Sequence, residues 1–86
     1  LKFSLYLEAE NAEVSTELTT KDVVLKDRVL GIFASLNYNE ASKLFQPDEN
    51  GITGKEKLEV KILENVNDIL SKGKIVAVYI TQFVIQ

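Results

Sequence analysis

This sequence predicts an α+β domain: a small antiparallel sheet, built from a long C-terminal strand and an N-terminal strand, with two long helices and one short helix packed on one face. Three observations carry that reading. Residues 1–8 alternate apolar and polar side chains. Two later stretches repeat apolar residues at helical spacing. Residues 75–86 form a long, almost uncharged strand candidate.

The first strand places Leu1, Phe3, Leu5 and Leu7 on one side and Lys2, Ser4, Tyr6 and Glu8 on the other, the pattern of a half-buried strand. Glu10-Asn11 ends it, and Asn11 is suited to cap a helix. Val14, Leu18, Leu25, Val29, Ile32, Phe33 and Leu36 then share one helical stripe. Ser15, Thr16, Thr19 and Thr20 weaken the first turns, so a start at Thr19 or Thr20, with Asp22 in the first turn, is the alternative. Gly31 reads as a point of close packing against a neighbour, with a hinge as the other option.

Asn37-Tyr38-Asn39 breaks the run, and Asn39 caps a short helix over residues 40–45 with Ala41, Leu44 and Phe45 turned inward. Pro47-Asp48-Glu49-Asn50-Gly51 has the chemistry of a loop. Thr53 and Glu56 have the spacing of a capping box. The helix they open carries Leu58, Ile62, Val66, Ile69 and Leu70 on one side, and Lys57, Lys61, Glu64, Asn65 and Asp68 on the other. Gly73 is placed to cap its C-terminus.

The final strand holds Val76, Val78, Ile80 and Val84 at one parity and Ile75, Ala77, Tyr79, Phe83 and Ile85 at the other. Both parities are mostly apolar, so the strand needs cover or pairing. With two helices between the strands, the second strand runs opposite to the first and pairs with it antiparallel. Two strands make a meagre sheet. A third is expected just upstream of Leu1 or from a neighbouring chain.

The 86 residues are 45% hydrophobic and 27% charged, in keeping with one small folded domain spanning 1–86. The net charge of −3 is spread evenly, without a basic arm or lysine cluster, which excludes a nucleic-acid groove. The apolar runs are too short for a membrane helix. A chain that begins at Leu1 and contains no Met is expected to be a processed product or a fragment, with any signal or anchor upstream. Absence of cysteine leaves the compartment open between cytosol and periplasm.

Without histidine or cysteine the chain lacks the commonest general base, the thiolate nucleophile and most transition-metal ligands. Its serines occupy no nucleophile-elbow context. Asp48, Asn50 and Glu59 match three places of a calcium loop, but Ile52 and Thr53 stand where an oxygen ligand and a glycine belong. Gly51-Ile52-Thr53-Gly54-Lys55 has the wrong spacing for a phosphate loop. The pairs Glu8/Glu10 and Glu56/Glu59 read as solvated faces rather than acid–base dyads. No cofactor is expected. Of the three tyrosines, Tyr6 and Tyr79 lie on strands, where a tyrosine is either an interface anchor or a cover for the core edge. The protein-interface candidates are Lys26, Asp27 and Arg28 on the first long helix, and Tyr79, Thr81 and Phe83 on the last strand.

Several segments have family character. VYITQFVIQ (residues 78–86) resembles the closing strand, of the form VYFTEFVVQ, of the flagellar basal body-associated protein FliL family. LKDRVLGIFASL (25–36) resembles that family's LRDRII-type helix and small-residue turn. NEASKLF (39–45) is similar to its short helix, GKEKL (54–58) to the start of its next helix, and KGKIVAVY (72–79) to its entry into the last strand. The matches run in order along nearly the whole chain. Two features depart from the pattern: Gln82 stands where acids are frequent, and the loop over residues 46–53 is longer than usual.

The resemblance implies the periplasmic C-terminal domain of a single-pass inner-membrane protein at the flagellar basal body, similar to the SPFH domains of stomatin-like proteins. It implies rings of copies around the torque-generating stator units, support of stator assembly or output, and no enzymatic activity. Membrane attachment is expected only through an anchor outside this chain. The alternative reading is a small-molecule or peptide-binding module with a pocket between helices and sheet. A third, a hydrolase relying on carboxylates alone, requires two of them in one cleft with shifted pKa values.

Overall fold

The computed structural model describes residues 2–84 and, within them, every side chain except that of Tyr38. Strand β1 (Lys2–Ala9) leads to helices α1 (Ala12–Thr20), α2 (Asp22–Ala34), α3 (Tyr38–Ser42) and α4 (Gly54–Ile69), and then to strand β2 (Ile75–Val84). The two strands pair antiparallel, giving the α+β arrangement that the sequence predicts. Leu1, Ile85 and Gln86, assigned above to the strands, lie outside the described residues.

β1 alternates as expected, with Phe3, Leu5, Leu7 and Ala9 half-buried and Lys2, Ser4, Tyr6 and Glu8 exposed. β2 does not keep one parity. Leu5 pairs with Ile80 but Ser4 pairs with Gln82, leaving Thr81 extra; Glu8 pairs with Ala77 but Ala9 with Ile75, leaving Val76 extra. Each extra residue is a bulge that switches the face of the side chains beyond it. Ile75, Val78 and Ile80 are therefore all buried and Phe83 half-buried, although they span both parities. This corrects the reading that neither face meets water. Val76, Tyr79 and Val84 on the far face are 56%, 48% and 40% exposed.

The first long helix is two helices. The chain breaks at Lys21, whose φ of −99° and ψ of 19° leave the helical region. The Thr16, Thr19 and Thr20 hydroxyls donate to the carbonyls of Ala12, Ser15 and Thr16 at 3.1, 3.3 and 3.0 Å, a pattern that bends helices. The expected stripe survives the break: Val14, Leu25, Val29, Ile32 and Phe33 are buried, and Leu18 and Leu36 pack beside them.

Four local expectations are corrected. Asn37, not Asn39, caps α3, through a reciprocal box with Glu40 at 2.8 and 3.2 Å. Leu44 is buried, yet Phe45 is 64% exposed because α3 ends before it. A Cβ added to Gly31 would meet no atom within 4 Å, so close packing is not the role of that glycine. Gly73 does not cap α4, which ends at an extended Leu70. Gly73 has φ +143°, and a Cβ there would sit 2.7 Å from Val14 Cγ2.

α4 begins at the expected N-cap, the Glu56 amide donating to Thr53 Oγ1 at 3.1 Å, but the capping box is not completed: the Glu56 carboxylate accepts from the Thr53 hydroxyl at 3.3 Å, not from the Thr53 amide. The helix buries Leu58, Ile62 and Val66. It lies against β2, and α2 lies against α4. Two α4 side chains satisfy β2 backbone groups that β1 does not. Asn67 accepts from the Ile75 amide at 2.8 Å and donates to its carbonyl at 3.1 Å, and Glu59 accepts from the Ile80 amide at 2.8 Å. At one end of the core Phe33 stacks on Phe3 at 4.1 Å and on Phe83 at 5.5 Å.

Candidate functional site

Carboxylates were the only candidates for chemistry, and the structure shows what they hold. Glu17 is buried beneath the turn that follows α4. It accepts from the Ser71 amide (2.9 Å), the Ser71 hydroxyl (2.8 Å) and the Lys72 amide (2.8 Å), and pairs with Lys21 at 2.6 Å. The Lys21 ammonium, opposed by burial and aided by the Lys72 and Ser71 donors, lowers the Glu17 carboxyl to about 2. Lys21 also donates to the Ile69 carbonyl at 3.0 Å, so the α1–α2 break and the end of α4 share one polar knot.

Asp48 is held similarly. Lys57 at 2.8 Å and the Ile52 and Asn50 amides at 3.0 and 2.8 Å lower it to about 2. Its loop is thus an Asx turn built on one carboxylate. Of the residues read as solvated faces, Glu8 is exposed as expected, while Glu10, Glu56 and Glu59 are more engaged than that. Glu10 accepts from the Lys74 amide at 3.0 Å, the Glu56 carboxylate accepts from the Thr53 hydroxyl, and Glu59 serves Ile80 and Lys55. These carboxylates serve as structural ties.

The six interface candidates divide between surfaces. Lys26 is exposed and pairs with Asp22 at 2.9 Å. Asp27 is exposed and has no ion-pair partner among the described residues. Arg28 is exposed and donates to Asn65 Oδ1 at 3.2 Å, tying α2 to α4. Tyr79 lies on the open sheet face, its ring 6.1 Å from that of Tyr6, its cross-strand neighbour. Thr81 is the bulged residue, donating to the Ser4 carbonyl at 3.2 Å. Phe83 is on the other face, half-buried against Phe33. The helix trio is contiguous; the strand trio is split by the bulge at Thr81.

A third surface escaped sequence reasoning. The outward side of α2, opposite Leu25, Val29 and Ile32, presents Val23, Val24, Leu30, Gly31 and Ala34 around Asp27. Val23 is 80% exposed and Leu30 51%. The signal was present, since residues 22–34 are apolar at almost every helical angle, a composition suited to burial on all sides. Attention to the inward stripe hid it.

Two recesses border these elements. One, of about 290 Å³, lies between β1 and the helices, floored by Phe3, Leu5, Leu7, Leu25 and Val29; its charged side chains, Asp22 and Lys26, pair with each other. The other, of about 450 Å³, lies between α3, the Asx turn and the start of α4.

Comparison with known proteins places this architecture. The family described as flagellar basal body-associated protein FliL matches residues 1–86. The chain is 35% identical over 85 residues to the flagellar protein FliL of Aquifex aeolicus (strain VF5), covering 99% of this chain and 48% of that protein. It is 28% identical over 86 residues to the flagellar protein FliL of Bacillus subtilis (strain 168), covering 100% and 56%. The chain thus spans about half the length of the curated relatives it matches. A family match along its whole length, on the segments that form α2, α3, α4 and β2, makes this chain a member of the flagellar basal body-associated FliL family.

Proposed function

We propose that this domain is a non-enzymatic periplasmic scaffold of a flagellar motor-associated membrane protein, one that packs against copies of itself and supports the stator units. Family membership supplies the setting. The observation that carries the scaffold reading is the outward side of α2, where Val23, Val24 and Leu30 are exposed together on a regular helix. Grouped apolar exposure of this kind marks a protein contact. Glu10, Glu17, Asp48 and Glu59 add support, because their side chains are engaged in holding the fold.

The ligand-binding alternative has its recess between β1 and the helices, but the charged groups there neutralise one another and leave no convergent polar set to fix a ligand. The scaffold reading is the stronger for that reason.

The test is a cell in which the gene is deleted and then restored with Val23→Glu/Leu30→Glu. Stator units per motor are counted by fluorescence, alongside swimming speed. The proposal expects fewer engaged units or lower torque in both the deletion and the variant, with the variant protein folded and at normal abundance. Normal stator occupancy and speed in the deletion strain reject it.

A further inference from the structure

We propose that the outward stripe of α2 seats in the cleft between α3 and the start of α4 on a second copy of this chain, joining copies head to tail. This rests on the self-association reading above and names its geometry. The stripe is convex and apolar, with Asp27 as its single charge. At Gly31, open space around the Cα lets a neighbouring surface approach the helix backbone closely.

The cleft is concave, about 450 Å³, with an apolar floor of Leu36, Leu44, Pro47, Ile52 and Leu58. A helix laid in an apolar groove is a recurring recognition mode. Charge selects the occupant. The cleft's own acids are engaged internally, Glu40 by the Asn37 amide and Asp48 by Lys57. Lys43 and Lys61 on its rim have no ion-pair partner among the described residues. With Asp48 paired to Lys57, the cleft keeps Glu40, Lys43 and Lys61 and so a net positive charge beside an apolar floor, and the stripe offers one uncompensated anion among apolar side chains. Each matches what the other lacks, and both belong to this sequence.

The contact is heterologous, because stripe and cleft are different patches. Each joined pair keeps one stripe and one cleft unused, so addition continues until a ring closes or a filament runs on.

The experiment uses the protein as expressed in its own cell, with Leu30→Cys on one copy and Ile52→Cys on another. Under mild oxidation the proposal expects a disulfide-linked dimer from the mixed pair, and a ladder of higher species when both cysteines share one chain. Asp27→Lys should reduce that linkage about tenfold, the scale of losing a close charge pair. Lys43→Glu/Lys61→Glu should do the same, and mixing it with Asp27→Lys should restore linkage at the swapped contact. Unchanged melting of each purified variant keeps folding out of the reading. Copies that associate by amine-reactive cross-linking yet give no Leu30→Cys/Ile52→Cys linkage overturn this geometry and leave self-association standing. Copies that show no association by either method overturn both.

Discussion

Gly73 illustrates how one residue holds two elements together. Its φ of +143° is open to glycine and strained for any L side chain, and the space where a Cβ would go is occupied by Val14 Cγ2 at 2.7 Å. Gly73→Ala adds backbone strain and overpacking at once. It is expected to lower stability by about 1–3 kcal/mol, read from urea unfolding. An unchanged midpoint refutes the close approach. Sequence reasoning saw that a glycine was required after α4 but named the wrong cause. The distance between Val14 and Gly73 in the chain hides the contact that fixes it.

Glu17 sets an expectation for pH at the same scale. Its carboxyl falls from an ordinary 4.5 to about 2 on folding. A depressed folded value means that its contribution is complete above about 4.5 and is lost as pH falls toward 2. Asp48, lowered from 3.8 to about 2, acts in the same direction over nearly the same window. Glu17→Gln should therefore destabilise at neutral pH and show a shallower loss of stability between pH 5 and 2 than the parent. Parallel profiles refute the assignment. Nothing in the sequence distinguished Glu17 from its exposed neighbours. Its burial arises from the Lys21 break, which turns α1 toward Ser71, a tertiary event without a local signature.

At the scale of elements, α4 offers an internal contrast. Ile62 is fully buried and Val60, two residues earlier, is 54% exposed. Ile62→Ala is expected to cost about 2–5 kcal/mol, and Val60→Ala within about 0.5 kcal/mol, both from denaturant midpoints. Equal effects would show that α4 is rotated from the orientation described. Thr53→Ala should cost about 1 kcal/mol through the lost N-cap. α4 was the most legible element because its apolar period, its cap and its length all agree. β2 was the least legible in detail. Its two bulges move buried residues between parities, and a bulge depends on the pairing partner as much as on the strand's own sequence. Lys21 was legible only as weakness, in the run of threonines before it.

For the whole molecule, charge reversal at Arg28 tests whether the helix trio is surface. Arg28→Glu loses one exposed hydrogen bond to Asn65 and is expected to shift stability by no more than about 0.5 kcal/mol. A cooperative loss of structure would make Arg28 a structural tie instead. The fold class and, apart from the split at Lys21, the order of elements were readable from the chain because they rest on period, caps and spacing; the family was readable from the resemblance of its segments. The surfaces were read less well. Period reports which side of a helix faces inward, whereas the outward apolar side of α2 is noticed only when the inward side has been accounted for.

Asn67 and Glu59 have one last consequence. By answering outward backbone groups of β2 at Ile75 and Ile80, α4 works as a selvedge along that margin of the sheet. A visiting extended segment would find the Ile75 amide and carbonyl and the Ile80 amide already engaged.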